Sequence, residues 1–158
     1  MMSSIENLNP YDYKQVNDKD YRFLNADGIE YQVYFSDGSG YFEHHPFANF
    51  VEIFGFRPLS DSYSVYDKRV AETVAYILIK YFINHDFIIT FVCDEKDRRQ
   101  ANRSHLFNLW FNKYSDDSFE KIDLVFEEHT HVSAIIAKSN PFYIDFKQDF
   151  PNLGEEYK

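Results

Sequence analysis

An apolar run at residues 87–92 constrains the fold more than any other feature of this sequence. The run is short and rich in β-branched and aromatic residues, which is typical of a fully buried strand. After a polar turn, apolar side chains recur at three- and four-residue steps, which predicts a helix near 97–114. The sequence therefore predicts a buried strand that leads directly into a helix.

Two arginines continue the apolar face of this predicted helix. Arg99 and Arg103 lie on the same face as Leu106, Phe107, Trp110 and Tyr114. A charge at the edge of an apolar face needs a partner, either a carboxylate of the same protein or an anionic ligand. We therefore predict Arg99 and Arg103 as candidate ligand-binding residues. The alternative is an internal ion-pair network with Asp94, Asp97 or Glu52.

The junction between the buried strand and this helix holds three further polar candidates. Asp94 is predicted to cap the helix, and Asp97 is an acid in its first turn, where it complements the helix dipole. Cys93 at a helix start can have a lowered thiol pKa and act as a nucleophile, or it can simply fill the end of the strand. A nucleophile would also need an imidazole from His44, His45 or His105.

The rest of the chain supplies strands and one further helix. Alternating or apolar runs predict strands at 21–24, 30–35, 50–56, 121–126 and 132–137, with a hairpin turn at 26–28. The resulting order is βββαβαββ. This order predicts an α+β domain with one mixed, largely antiparallel sheet and two main helices.

The first helix is predicted at about 67–84. Its apolar face carries Val70, Val74, Ile77, Leu78 and Tyr81, and its polar residues Lys68, Glu72 and Lys80 lie away from that face. Lys68 and Arg69 stand at its N-terminus, where free backbone N–H groups also attract anions. We therefore predict Lys68 and Arg69 as candidate anion-binding residues, with two solvated charges as the alternative.

Composition limits the partners of the chain. Its 158 residues predict a single domain, 1–158, with loosely packed tails at 1–20 and 141–158. The net charge of −10 predicts no binding to nucleic acid or to anionic membranes. A single cysteine and the lack of a signal or spanning segment predict a cytoplasmic protein. No metal site is predicted, because Glu127, His129 and His131 share a strand face without an identifiable fourth ligand.

Several short motifs resemble an uncharacterised bacterial family of small acidic proteins. They are residues 28–31, 67–73, 93–94, 97, 103, 106–107, 110–111 and 140–141. These motifs are spread over most of the chain. The resemblance implies membership of a family without an assigned function.

The order of elements also resembles the core of the GNAT acetyltransferases, without their first strand and helices. That resemblance implies an acetyl-CoA site between the strands at 50–56 and 87–92, with the pyrophosphate on the helix at 67–84. The sequence departs from the family in two places. Residues 64–73 contain no glycine, and Phe107 stands near the position of the usual tyrosine acid. The resemblance therefore implies altered or lost acyltransferase chemistry.

Three functional hypotheses follow, and the first two assign no catalytic residue. The first is a divergent acyltransferase-like domain that binds acetyl-CoA or another anionic ligand near Lys68, Arg69 and Arg103. The second is a non-enzymatic acidic module, antitoxin-like or immunity-like, with a basic protein partner. A third reading, a hydrolase dependent on Cys93 or on a metal at His129 and His131, requires those side chains to be essential.

Overall fold

A seven-stranded mixed sheet organises the structure, a computed structural model that describes residues 7–59, 68–83, 86–94, 111–113, 117–126 and 130–152. The strands are β1 (Tyr13–Asn17), β2 (Asp20–Leu24), β3 (Glu30–Asp37), β4 (Val51–Pro58), β5 (Ile88–Asp94), β6 (Phe119–Phe126) and β7 (Thr130–Ala137). Their order across the sheet is β1-β2-β3-β4-β5-β7-β6. The predicted α+β class with one mixed sheet is therefore confirmed.

One pair of strands is parallel, and a helix connects its members. β4 and β5 pair in parallel, whereas the other neighbouring strands pair antiparallel. Helix α1 (Lys68–Ile83) lies between them in sequence, as a parallel connection requires. The predicted helix at 67–84 is thus confirmed. Of the helix predicted near 97–114, the structure describes residues 111–113, which are helical.

Each face of the sheet carries a separate hydrophobic core. On the face that packs against α1, here called the α1 face, side chains of β3, β4 and β5 meet the apolar side of the helix. On the opposite face, two short 3-10 helices (Ser39–Phe42 and Ala48–Phe50) and helix α2 (Tyr143–Asp149) pack against β5 and β7. The apolar run predicted to be buried is buried from Ile88 to Phe91.

The predicted hairpin turn between β2 and β3 has an identifiable cause. Gly28 has a φ of 79°, which glycine adopts without steric cost. The side-chain oxygen of Asn25 accepts hydrogen bonds from the backbone N–H groups of Asp27 and Ile29, both at 2.9 Å. The turn therefore fixes the register of the two strands.

Both segments predicted as loose tails contain ordered elements in the structure. β1 pairs with β2, and Phe146 of α2 is completely buried, as is Phe150 directly after that helix. The sequence did not indicate these elements, because β1 has mostly exposed residues and α2 has only seven. The burial of the two phenylalanines ties the C-terminal helix to the second core.

Glu72 also differs from its predicted position on the solvent side of α1. It is 5% exposed, because the N-terminal segment at residues 8–11 lies along this part of the helix. The backbone N–H of Asn9 donates to Glu72 Oε2 at 2.7 Å. A contact over such a sequence separation leaves no local signal.

Within the described residues, no helix is long and apolar enough to cross a membrane.

Candidate functional site

The parallel ladder between β4 and β5 stops while both strands continue. Its register pairs are Val51 with Ile88, Glu52 with Ile89 and Ile53 with Thr90. In the described part of the chain, residues of β4 after Ile53 pair only with β3, and residues of β5 after Thr90 pair only with β7. Two strand edges therefore face each other here without a shared ladder. We call this region the β4–β5 opening.

Aromatic side chains pack beneath this opening on the α1 face. The ring centroids of Phe54 and Phe91 are 5.9 Å apart, and those of Phe54 and Phe56 are 6.2 Å apart. All three belong to the core that includes Val70 and Val74 of α1. The α1 side of the opening is consequently apolar and well packed.

The opposite face presents polar groups beside the same strand. Tyr34 pairs in register with Gly55, and its ring lies across that glycine. A Cβ atom at residue 55 would be 2.4 Å from Tyr34 Cζ, so any other residue would displace the ring. Arg57 Cζ is 5.7 Å from the centroid of the Tyr34 ring. Glycine at position 55 therefore permits an aromatic and cationic pair on this face.

A chain of hydrogen bonds holds Arg57 in place. Its Nε donates to Gln32 Oε1 at 3.0 Å, and Gln32 Nε2 donates to Asp20 Oδ2 at 3.1 Å. Asp20 in turn accepts from Arg22 at 3.4 Å. Arg57 was not among the predicted site residues, although strand alternation places it on the opposite face from Phe54 and Phe56.

The two predicted anion-binding residues, Lys68 and Arg69, lie in the N-terminal turn of α1 and contact different groups. Lys68 has a side chain 76% exposed, and its Nζ lies 3.6 Å from Glu72 Oε1. Arg69 instead contacts the N-terminal segment: its Nε donates to the carbonyl of Asn9 at 3.1 Å and its Nη2 to that of Pro10 at 3.0 Å. Its Cζ also lies 4.1 Å from the ring centroid of Tyr11. Arg69 is thus more than a solvated charge.

Replacing Arg69 with glutamine is expected to destabilise the fold by about 1–3 kcal/mol, because two charge-assisted hydrogen bonds and a cation–π contact are lost. Urea unfolding measures this change. Lys68→Gln is the matched control, because the Lys68 side chain is 76% exposed and an i,i+4 ion pair such as that with Glu72 contributes about 0.5 kcal/mol. Equal effects of the two substitutions would contradict a specific role of Arg69 in holding residues 9–11.

The other predicted site residues lie toward the end of β5 and beyond it. Backbone register places Cys93 opposite His131 of β7 and Asp94 opposite Thr130. His131 was not among the histidines predicted as partners of the cysteine. Arg99, Arg103, Asp97, Glu127 and His129 lie outside the described residues. Among the residues that the structure describes, no three His, Cys, Asp or Glu are placed to hold a metal ion.

A buried carboxylate lies on the α1 face of β4, where the parallel ladder is still intact. Glu52 is 4% exposed, and its Oε1 accepts a hydrogen bond from Tyr81 Oη at 3.0 Å. Lys19 Nζ approaches the same oxygen at 3.3 Å. Glu52 Oε2 is buried with no hydrogen-bond partner in the described structure. Among the described residues, the side-chain partners of this carboxylate are Tyr81 and Lys19, whereas Arg99 and Arg103, the arginines predicted to pair with it, lie outside them.

The fold and the matched sequence together give the class of the protein and its family. The structure is an α+β domain with one seven-stranded mixed sheet. Residues 66–152 match the model of DUF6169, described as a family of unknown function, and the chain belongs to this family. No curated protein and no solved structure matches the chain significantly.

Proposed function

We propose that this protein is a divergent acyltransferase-like domain that holds a CoA-type or other anionic ligand at the β4–β5 opening. The observation that carries the proposal is the parallel ladder that ends at Ile53 and Thr90, between strands connected by α1. The strand order and the parallel pairing of β4 with β5 also fit the GNAT-like order of elements expected from the sequence.

The opening suits an extended, amide-containing ligand. A ligand amide can hydrogen-bond to the backbone of a strand in the way that a neighbouring strand does, and the ladder between β4 and β5 ends at Ile53 and Thr90. The two amide groups in the pantetheine arm of CoA can form such bonds. The aromatic floor made by Phe54, Phe56 and Phe91 adds an apolar surface beside this edge. These features support binding and assign no catalytic residue.

The N-terminus of α1 gives weaker support for anion binding than the opening does. Lys68 is exposed but lies beside the Glu72 carboxylate, and Arg69 already binds the backbone of residues 9 and 10. The lack of glycine in residues 64–73 also hinders close approach of the backbone to a phosphate. The proposal therefore concerns a ligand-binding domain whose acyltransferase chemistry is altered or lost.

Thermal unfolding with added acetyl-CoA, CoA or ATP tests the proposal. Acetyl-CoA and CoA at about 100 times their Kd are expected to stabilise the fold by about 2.7 kcal/mol. ATP supplies phosphates without the pantetheine arm and is expected to give a smaller shift. A similar shift with ATP would show that the site takes phosphate ligands in general and does not recognise the pantetheine arm. No shift with any of the three compounds would contradict the proposal.

Substitutions at the cations locate the site. Replacing Lys68, Arg69 and Arg103 together with alanine is expected to abolish the shift while circular dichroism still reports a folded domain. The matched control replaces Lys14, Lys138 and Lys147, which are exposed elsewhere and change the net charge equally. If both triple variants weaken binding to the same extent, the ligand responds only to overall charge.

The alternative is a non-enzymatic acidic module with a basic protein partner. The net charge of −10 supports it, because a strong acidic surface accelerates association with a cationic protein. Such binding is expected to weaken steeply as salt rises. Absence of any basic partner at low ionic strength would count against this alternative.

A further inference from the structure

Arg57 and Arg69 differ in how their guanidinium nitrogens are used. Arg69 uses both Nε and Nη2 to bind carbonyls of its own chain. Arg57 uses Nε alone, and its terminal nitrogens have no acceptor among the described residues. The Arg57 side chain is also exposed. A hydrogen-bonding edge of this guanidinium therefore faces outward.

A buried amide fixes the orientation of that guanidinium. Gln32 is 9% exposed, and its two ends are both engaged, one by Arg57 and the other by Asp20. The Gln32 amide therefore cannot rotate without breaking both hydrogen bonds. Asp20 is itself held by its contact with Arg22. Arg57 is therefore held before any ligand arrives, which reduces the ordering cost of binding.

Tyr34 supplies a second group at the same place. The Tyr34–Gly55 and Gln32–Arg57 register pairs are two residues apart on one face, which is about 7 Å along the strands. The hydroxyl of Tyr34 lies 2.5 Å from the position that a Cβ atom of residue 55 would occupy. The hydroxyl end of the ring therefore lies over β4 at residue 55.

We propose that Arg57, with Tyr34 beside it, forms a binding site for a carboxylate on the face opposite α1. The terminal edge of a guanidinium matches the two oxygens of a carboxylate, and a tyrosine hydroxyl can donate to the same group. A phosphate dianion fits less well, because the site has one outward cation near Asp20 in a chain of net charge −10. This site is independent of CoA binding.

The carboxylate can belong to a small molecule or to an acidic side chain of a peptide. Titrations of the isotopically labelled protein with acetate, with inorganic phosphate and with a blocked alanine–aspartate–alanine peptide distinguish these sources. The Nε–H resonance of Arg57 is followed by NMR at low ionic strength. Acetate or the peptide is expected to shift this resonance saturably. The ligand that binds more tightly shows whether the carboxylate belongs to a small molecule or to a peptide side chain.

Substitutions show whether the arginine edge itself is responsible. Arg57→Gln is expected to weaken carboxylate binding about tenfold or more, followed on the amide resonances of residues 55–58. Arg57→Lys keeps the charge but not the planar edge, so it is expected to weaken binding as well. Lys14→Gln is the matched control, because register places Lys14 in the same row of residues across the sheet, and it is expected to leave binding unchanged.

Tyr34→Phe distinguishes a loss of carboxylate binding at the site from a loss caused by misfolding. It keeps the ring over Gly55 and the contact with Arg57 and removes only the hydroxyl, so it is expected to weaken binding by a few fold in a folded protein. The proposal is overturned if no carboxylate gives a saturable shift, if phosphate binds more tightly than acetate, or if Lys14→Gln and Arg57→Gln weaken binding equally.

Discussion

Replacing Phe146 with alanine is expected to lower the free energy of unfolding by about 3–5 kcal/mol. Phe146 is fully buried, and its ring lies 5.2 Å from that of Phe47 and 5.0 Å from that of Phe150. A seven-residue helix has almost no stability of its own, so this burial is what keeps α2 on the sheet. Urea unfolding followed by circular dichroism measures the change.

Ile144→Ala provides the control on the same helix. Ile144 is 67% exposed, so its truncation removes few contacts and is expected to change stability by about 0.5 kcal/mol or less. A small effect of Phe146→Ala, comparable with that control, would show that the second core does not depend on α2.

Tyr81→Phe is expected to destabilise the protein by about 1–3 kcal/mol at neutral pH, because it removes a hydrogen-bond donor from a buried carboxylate. Glu52 would then keep only Lys19 as a partner, while its Oε2 is already unpaired in the described structure. The ring itself would remain stacked on Phe35, 3.7 Å away between centroids. The effect therefore isolates the hydroxyl.

The same hydroxyl predicts a pH dependence. Burial raises the pKa of Tyr81 above its ordinary value of 10.0, and the neighbouring Glu52 carboxylate raises it further. The folded state thus retains a proton that the unfolded chain releases, so stability is full below about pH 10 and falls as pH rises above it. The difference between the native protein and Tyr81→Phe is expected to shrink above pH 10.

Unfolding in urea between pH 7 and pH 11 tests both parts of this prediction. Tyr41→Phe is the control, because Tyr41 is 51% exposed and its substitution is expected to be nearly neutral. The role of the hydroxyl would be refuted if Tyr81→Phe matched that control at pH 7, or if the difference from the native protein stayed constant with pH.

Patterns within one element were sufficient to predict most of the fold. The alternation in β3 and β4, the buried run of β5 and the apolar stripe of α1 correspond to the observed elements. β1 was missed because most of its residues are exposed and give no period of burial. The burial of Glu72 was missed because residues 8–11, which cover it, are distant in sequence.

The candidate site was less predictable, because it depends on register between strands. Arg57 meets Gln32 across β3 and β4, and Tyr34 meets Gly55 in the same pair of strands. Neither contact follows from a local pattern, since a shift of one residue would move each side chain to the other face. Lys68 and Arg69 do lie at the start of a helix as predicted, but Arg69 already has partners within its own chain.

The parallel pairing of β4 and β5 has a consequence for any shortened version of this protein. The family match covers residues 66–152, which include α1 and β5 but not β4. In a fragment limited to the match, one edge of β5 would lack its neighbouring strand β4. The apolar side of α1 would also lose its contacts with the core residues Phe35 and Phe54. Such an edge recruits strands from other molecules, so the fragment is expected to aggregate unless the first four strands are kept with it.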